Sequence, residues 1–365
     1  TGKRFGRSLD PDTNGYTSES FEEGTVGLDM TLSLFEGFSR INQLRFRKMN
    51  KERSEWELKE KQNELAYQVT DAYYKLILER KLLDLALEQS RLSERYLTQT
   101  EVFVELGLKS ASDLQEVKAR REGDIYRYQS RGNSSRIALL HLKQLMNIQP
   151  GDTLAILDTI TASQVPPYSV STVETLYAQS IEILPSIRMI DLKQKAAHKE
   201  YAIAGGAFSP SVFARFTVGS NYYNTAFSAR QLRDNIGKYV GVGISFPLLS
   251  GLQRLTNQRK LKLNMYRLKN EEELEKQQLY TDIEQTLLSL HTGYSEHQQA
   301  LSQLDAETLV LKESERKWEE GLISVFQLME ARNRFIAAKA ELVRVRLQIE
   351  MMMKLEKYYR QGTFL

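Results

Sequence analysis

The sequence predicts an α+β membrane protein: long antiparallel coiled-coil helices joined to a few β-strands that cannot close on themselves within one chain. Three observations lead there. Two long tracts contain no proline, a short alternating segment leads into the helical pattern of each, and the two patterns align on one another at an offset of 214 residues.

The seven prolines stand at Pro11, Pro150, Pro166, Pro167, Pro185, Pro210 and Pro247, which leaves 12–149 and 248–365 free of them. Proline breaks helices, and both tracts are rich in the helix formers Glu, Lys, Arg, Gln, Leu and Ala. Phe335, Ala338, Leu342, Val345, Ile349 and Met352 recur at 3,4 spacing. Leu287, Leu290, Tyr294, Leu301, Leu304 and Leu311 form another such series, with His297 and Thr308 as polar members. A seven-residue period makes helices supercoil around neighbours. Second stripes, such as Leu78, Leu82 and Leu85, predict packing on more than one side, as in a bundle or a closed ring.

Each tract reverses once, at VELGLKSASDL (Val104 to Leu114) and WEEGLISVFQL (Trp318 to Leu328). Glycine followed by a serine-rich turn suits a helix stop and a new N-cap. From Phe38 to Val104, and from Leu252 to Trp318, is 67 residues, about 100 Å if unbroken. No compact soluble domain needs such a rod.

The offset of 214 runs without a gap. Gly27, Leu34, Gly37 and Arg40 meet Gly241, Leu248, Gly251 and Arg254. At the reversal Gly107, Leu108, Ser110, Leu114, Glu116 and Arg120 meet Gly321, Leu322, Ser324, Leu328, Glu330 and Arg334. This reads as an internal duplication of a strand–long helix–turn–helix unit.

Val26, Leu28, Met30, Leu32 and Leu34 alternate with small polar residues, and so do Val240, Val242, Ile244 and Phe246. Val212, Ala214, Phe216 and Val218 alternate with Phe213, Arg215, Thr217 and Gly219. This period of two predicts strands with one apolar and one polar face, about ten residues long, as in a tilted transmembrane strand. The polar face lacks the Lys and Glu of a solvated sheet. Tyr222, Tyr223, Phe227 and Tyr239 are expected to form an interfacial aromatic girdle. A fourth strand is expected around Lys3 to Leu9, at what reads as a processed or truncated start, giving two hairpins per chain. Four strands cannot form a barrel, and open edges in lipid leave unpaired backbone groups. Closure therefore calls for several chains, and three would give twelve strands.

Composition narrows the function classes. With 41% hydrophobic residues the chain is expected to fold. The 50 basic residues against 47 acidic ones, interspersed, give no reason to expect a nucleic acid. Without cysteine there is no disulfide, thiolate metal site or cysteine nucleophile. No run of 18 apolar residues marks a membrane helix. His141, His198, His291 and His297 are scattered, and no phosphate loop or nucleophile elbow is present. The chain is not expected to be an enzyme or to carry a cofactor.

The strand-to-helix repeat LSLFEGFSR and SFPLLSGLQR, the tip turns GLKSASDLQEVKAR and GLISVFQLMEARNRF, and the stretch Leu184 to Gly219 resemble the TolC family of outer-membrane channel-tunnel proteins, used in drug efflux and type I secretion. That resemblance implies a homotrimer whose four strands per chain make a trimeric twelve-stranded transmembrane β-barrel, above an α-helical barrel crossing the periplasm of a Gram-negative bacterium. It divides the chain into a first β-hairpin, 1–36; a helical hairpin, 37–149; an equatorial segment and helix, 150–206; a second β-hairpin, 207–250; a second helical hairpin, 251–354; and a C-terminal equatorial tail, 355–365. It implies as partners outer-membrane lipid, a periplasmic adaptor (membrane fusion protein) and an inner-membrane RND or ABC pump. The alternative is a soluble periplasmic coiled-coil scaffold or adaptor.

The resemblance also implies site residues. The periplasmic aperture falls on Asp113, Trp318, Ile323, Gln327 and Glu330. Trp318 and Ile323 replace the family's tyrosine and arginine, so its ion-pair lock is not reproduced. Gln327 and Glu330 occupy the acidic ring positions, of which Glu330 alone keeps its charge, so a weaker cation bias than the family norm is expected. Asp113 could equally be the N-cap of the returning helix, and Glu330 a solvated surface charge. Gly107, Leu108 and Ser110 with Gly321, Leu322 and Ser324 are the tip turns expected to dock an adaptor. Asp29, Thr31, Ser33, Arg215, Thr217 and Asn221 are expected to face the barrel lumen.

Overall fold

The computed structural model describes residues 1–9, 14–18, 20–149, 151–157, 165, 171–224, 227, 229–248 and 252–364. Pro11, Pro150, Pro166, Pro167 and Gly251, landmarks above, lie outside the described residues. In chain order the elements are β1 (Gly2–Arg4), β2 (Ser8–Leu9), β3 (Tyr16–Thr17), β4 (Phe21–Glu36), α1 (Ser39–Glu105), α2 (Ala111–Leu145), α3 (Val173–Ile183), α4 (Pro185–Gly206), β5 (Ser211–Asn224), α5 (Ala229–Asp234), β6 (Gly237–Ser245), α6 (Gln253–Glu319) and α7 (Val325–Gln361). They fall into two compact units, Thr1–Arg53 with Ile190–Glu271, and Ser54–Met189 with Glu272–Leu365.

The first unit holds an antiparallel sheet in the order β1-β4-β5-β6. The strand expected over Lys3 to Leu9 is not continuous. β1 pairs with the start of β4, β2 pairs separately with β3, and Gly6 at φ +104° turns the chain between them. β4 and β5 pair from Glu22↔Asn224 to Glu36↔Ser211, with a register shift between Ser33 and Phe35, and β6 lies on the far side of β5. The alternation read from sequence holds: Val26, Leu28, Met30, Leu32 and Leu34 stand on one face of β4 at 55–66% exposure. Val240, Val242 and Ile244 continue that face across β6, equally open. An apolar surface left bare on this scale is not the face of a soluble sheet.

The step from strand to helix shows why the repeat reads EGF and SGL. Gly37 has φ +57°, and Phe38 and Leu252, at matching positions, have φ +63° and +62°. The left-handed residue turns the chain, and its carbonyl accepts the first helical bond, from Asn42 N (3.1 Å) or Thr256 N (2.9 Å). Both helices therefore start one residue later than the Phe38 and Leu252 expected from periodicity. Gly37 also lies against the end of α4: a Cβ there would stand 2.5 Å from the Gly206 carbonyl oxygen and 2.7 Å from Ser209 Cβ. Ser39 Oγ donates to the Ile203 carbonyl at 3.2 Å.

In the second unit the expected stripes are the core. Ala338, Leu342, Val345 and Ile349 of α7 are buried, the last two with Leu290 of α6; Ala72 and Leu76 of α1 pack on Leu142 of α2. Leu176 and Leu184 of the α3 region join Ile283 and Tyr359. Pro185 opens α4 directly after Leu184, using proline's tolerance for the first helical turn. α7 continues through 355–361, where a tail was expected, because nothing breaks the helix before Gly362 at φ +72°. Asn63 then clasps the chain end: its amide nitrogen donates to the Gly362 carbonyl (3.2 Å) and its oxygen accepts from Phe364 N (3.1 Å).

α1 and α6 are each 67 residues long and end alike. Leu108 N bonds the Phe103 carbonyl at 2.8 Å and Gly107 N that of Val104 at 3.0 Å; Leu322 and Gly321 do the same to Lys317 and Trp318. These are Schellman stops, with Gly107 and Gly321 at φ +72° and +75°. Among the described residues a Cβ added at either glycine would meet nothing within 4 Å. Gly107→Ala is therefore predicted to cost only left-handed strain, roughly 1–2 kcal/mol, whereas Gly37→Ala adds a backbone collision and should lower the thermal midpoint further. Equal midpoints for the two variants would contradict this packing of the junction.

Candidate functional site

On the sheet, register decides which side chains share a face. Asp29 stands opposite Thr217, Thr31 opposite Arg215 and Ser33 opposite Phe213, with Asn221 farther along opposite Thr25. Asp29 Oδ1 accepts from Thr217 Oγ1 at 2.6 Å and from an Arg215 guanidinium nitrogen at 3.2 Å. The acid and the base on this face thus neutralise one another, and both remain more than half exposed.

The same register breaks up the expected girdle. Tyr239 lies opposite Thr217, on the polar face, with its ring over Gly241, and Phe213 lies over Gly243, where a Cβ would come within 2.5 Å of the ring. Tyr223 stacks on Phe21 with centroids 4.8 Å apart. Tyr222, one residue earlier and therefore on the other face, is buried edge-to-face with Phe227 at 5.1 Å. Adjacent aromatics in a strand point to opposite sides, so the four do not form one belt.

The tip turns end in two matching capping boxes. Ser110 accepts from Asp113 N at 3.1 Å, and the Asp113 carboxylate accepts from Ser110 N at 2.9 Å and from its hydroxyl at 2.8 Å. Ser324 and Gln327 repeat the arrangement at 3.3 and 3.0 Å. Ser110, not Asp113, is thus the N-cap; Asp113 sits three residues on as its reciprocal partner. The Ser110 backbone N–H, then its hydroxyl, hold the Asp113 carboxyl below the ordinary carboxylate range. Leu108, Leu322 and Phe326 are exposed around these caps.

Trp318 is 1% exposed, in a core with Tyr96, Val117, Val325, Leu328 and Met329, and Ile323 packs on that core. Between α2 and α7 opens a cavity of about 400 Å³, lined by Glu116, Arg120, Phe326, Glu330 and Asn333 over Val325. Glu330 is exposed and meets Arg334 at 3.3 Å, which also reaches Glu307 at 3.4 Å.

Behind this surface lies a buried polar network that the periodicity did not announce. Asp124 accepts from Gln89 Nε2 at 2.9 Å and from Ser93 Oγ. Arg332 donates to the Gln89 carbonyl at 2.6 Å, with its guanidinium 5.5 Å from the Tyr96 ring centre. Tyr96 donates to Glu315 at 3.0 Å. Burial pushes the Arg332 guanidinium below its usual value and, together with Glu315, raises the Tyr96 phenol. Four helices are tied through these groups, and removing any one member strands a desolvated partner. The available signal was the core stripe of α1, which continues past Leu85 in Gln89, Ser93, Tyr96 and Thr100.

A family model described as outer membrane efflux protein matches residues 3–147 and 176–351. The chain belongs to the outer membrane efflux protein family. This bears out the resemblance read from the repeat, places the efflux protein in the outer membrane among export channels, and sets aside the soluble scaffold. A search of curated proteins finds no match. Among solved structures it is similar to the Campylobacter jejuni CmeC outer membrane channel, at 12% identity and TM-score 0.82, covering 99% of this chain and 76% of that one. The outer membrane protein VceC of Vibrio cholerae follows at 15% and 0.79, covering 100% and 86%. The open state of the Neisseria gonorrhoeae MtrE channel gives 16% and 0.77, covering 100% and 80%. At such identities these likenesses speak for the fold of the efflux protein.

The two caps of the efflux protein differ in one titratable group. A carboxyl held low stabilises the folded state above its unfolded pKa, and that contribution disappears as pH falls through the lower folded value. Asp113→Asn is therefore predicted to lower the thermal midpoint at pH 7 and to lose its effect as the medium is acidified below the ordinary carboxylate range. A difference that persists undiminished in acid would refute the charged capping box.

Proposed function

We propose that three copies of this chain assemble into one export conduit, each giving its β1-β4-β5-β6 sheet to a twelve-stranded barrel and its helical hairpins to an α-helical barrel. The observation that carries this reading is the sheet itself. Among the described residues the outer edges of β6 and of β4 beyond Glu23 have no partner strand, and one face is exposed apolar surface. In lipid, both edges must be paired by another chain.

On this reading Asp29, Thr31, Ser33, Arg215, Thr217 and Asn221 line the lumen, where the internal ion pair leaves little net charge. Each chain is a duplicated unit, supported by the matched junction angles, helix lengths and capping boxes 214 residues apart. The turns at Gly107, Leu108 and Ser110 and at Gly321, Leu322 and Ser324 dock a periplasmic adaptor, which couples the conduit to an inner-membrane RND or ABC pump. Drugs, small molecules or proteins pass through passively. Asp113, Trp318, Ile323, Gln327 and Glu330 belong to the aperture, with Asp113 and Glu330 as its carboxylates and Trp318 as the packing behind it.

Light scattering of the full chain tests the assembly: a trimer stable in detergent is expected, and a monodisperse monomer without detergent would sink the reading. In planar bilayers Glu330→Gln should shift the reversal potential toward lower cation selectivity; an unchanged value would remove Glu330 from the aperture.

A further inference from the structure

The basic residues of the chain are not evenly spread. Between Glu36 and Glu52 there are five cations and no carboxylate: Arg40, Arg45, Arg47, Lys48 and Lys51. The start of α6 repeats the bias, with Arg254, Arg259, Lys260, Lys262, Arg267 and Lys269 and no acidic residue from 253 to 270. The net charge of the chain is only +3, so everything outside these two segments is net acidic. Three of the cations recur at the 214-residue offset, Arg40, Arg45 and Lys48 matching Arg254, Arg259 and Lys262. Most are exposed, and Arg45, Lys48, Arg259, Lys260, Lys262 and Lys269 meet no acidic group among the described residues. Neither helix has an acidic residue in its first turn. Cations at that end work against the helix dipole, so local helix stability does not account for them.

Their neighbours identify the partner. Phe38, Ile41 and Leu44 are 51–72% exposed, and Leu248 and Leu252 more so. At helical spacing Arg40, Leu44, Arg47 and Lys51 share one face of α1, beside Ile41 and Lys48. Arg254, Leu255 and Lys262 repeat Arg40, Ile41 and Lys48 on α6. A face that alternates apolar and basic residues suits an interface where side-chain stems lie against acyl chains and charges reach phosphates. These segments directly follow β4 and β6, within the same compact unit, and so extend the exposed apolar face of the sheet.

We propose that the first turns of α1 and α6 form a basic collar that binds the anionic phospholipid headgroups of the leaflet facing the periplasm. The proposal rests on the membrane-barrel reading above and adds a lipid preference that the barrel alone does not require. Juxtamembrane Lys and Arg are drawn to anionic headgroups, and salt screens that attraction.

The test is native mass spectrometry of lipid retained by the detergent-solubilised full chain after reconstitution in equimolar phosphatidylglycerol and phosphatidylethanolamine. Wild type is expected to retain phosphatidylglycerol by about tenfold over phosphatidylethanolamine. The preference should fall to near parity in about 1 M NaCl, and likewise in a variant combining Arg45→Gln, Lys48→Gln, Arg259→Gln and Lys262→Gln. Bilayer conductance of that variant reports whether it still inserts; if it does not, the salt titration of the wild type decides. Equal retention of both lipids by wild type, or a preference that survives salt or substitution, overturns the collar. A wild type that conducts without lipid preference loses only the collar, whereas one that neither inserts nor conducts brings down the barrel reading beneath it.

Discussion

The requirement that every backbone N–H and C=O find a partner governs this chain. Along β4, β5 and β6 it is met by neighbouring strands, and at the outer edges of β6 and of β4 beyond Glu23 no strand meets it among the described residues. Because one face of the sheet also exposes apolar side chains along most of its length, water cannot be the universal substitute there. The helices face the same requirement at their ends and meet it locally, through Schellman bonds at Gly107 and Gly321 and serine caps three residues later. The tip ends of the helices are thus satisfied locally, while the outer sheet edges are left open among the described residues.

Between these regimes lies the junction at Gly37 and Phe38. The chain must leave an extended, laterally paired conformation and enter a helix in two residues, and it does so by accepting left-handed geometry at a bulky side chain. That strain recurs at Leu252, so the geometry of the turn matters more here than the comfort of the residue. The close approach of Gly37 to Gly206 then fixes the end of α4 against the turn, so that the strand it feeds, β5, starts from a defined point.

Much of this was legible in the sequence because the informative patterns are local. A period of two placed β4, β5 and β6, seven-residue stripes placed the helix cores, and the 214-residue offset placed both reversals. What stayed hidden depends on pairing between distant segments or on one bond more than a pattern contains. Tyr222, Tyr223 and Tyr239 looked like one girdle because closeness in sequence says nothing about which side of the sheet each residue joins. Asp113 looked like a cap because its residue type suits one, but only geometry distinguishes it from Ser110. Asp124 meets Ser93 and Gln89 across 31 and 35 residues, and Arg332 meets Gln89 across 243, separations at which no periodicity speaks.

The paired capping boxes have a further consequence. Asp113 and Gln327 accept the same backbone hydrogen from a serine three residues earlier, one with a carboxylate and the other with an amide. Shape and charge are therefore independent variables at the ends of the hairpins. Evolution, or an engineer, can recolour the electrostatics of these two turns by exchanging acid and amide at either position without redrawing the turn that holds it.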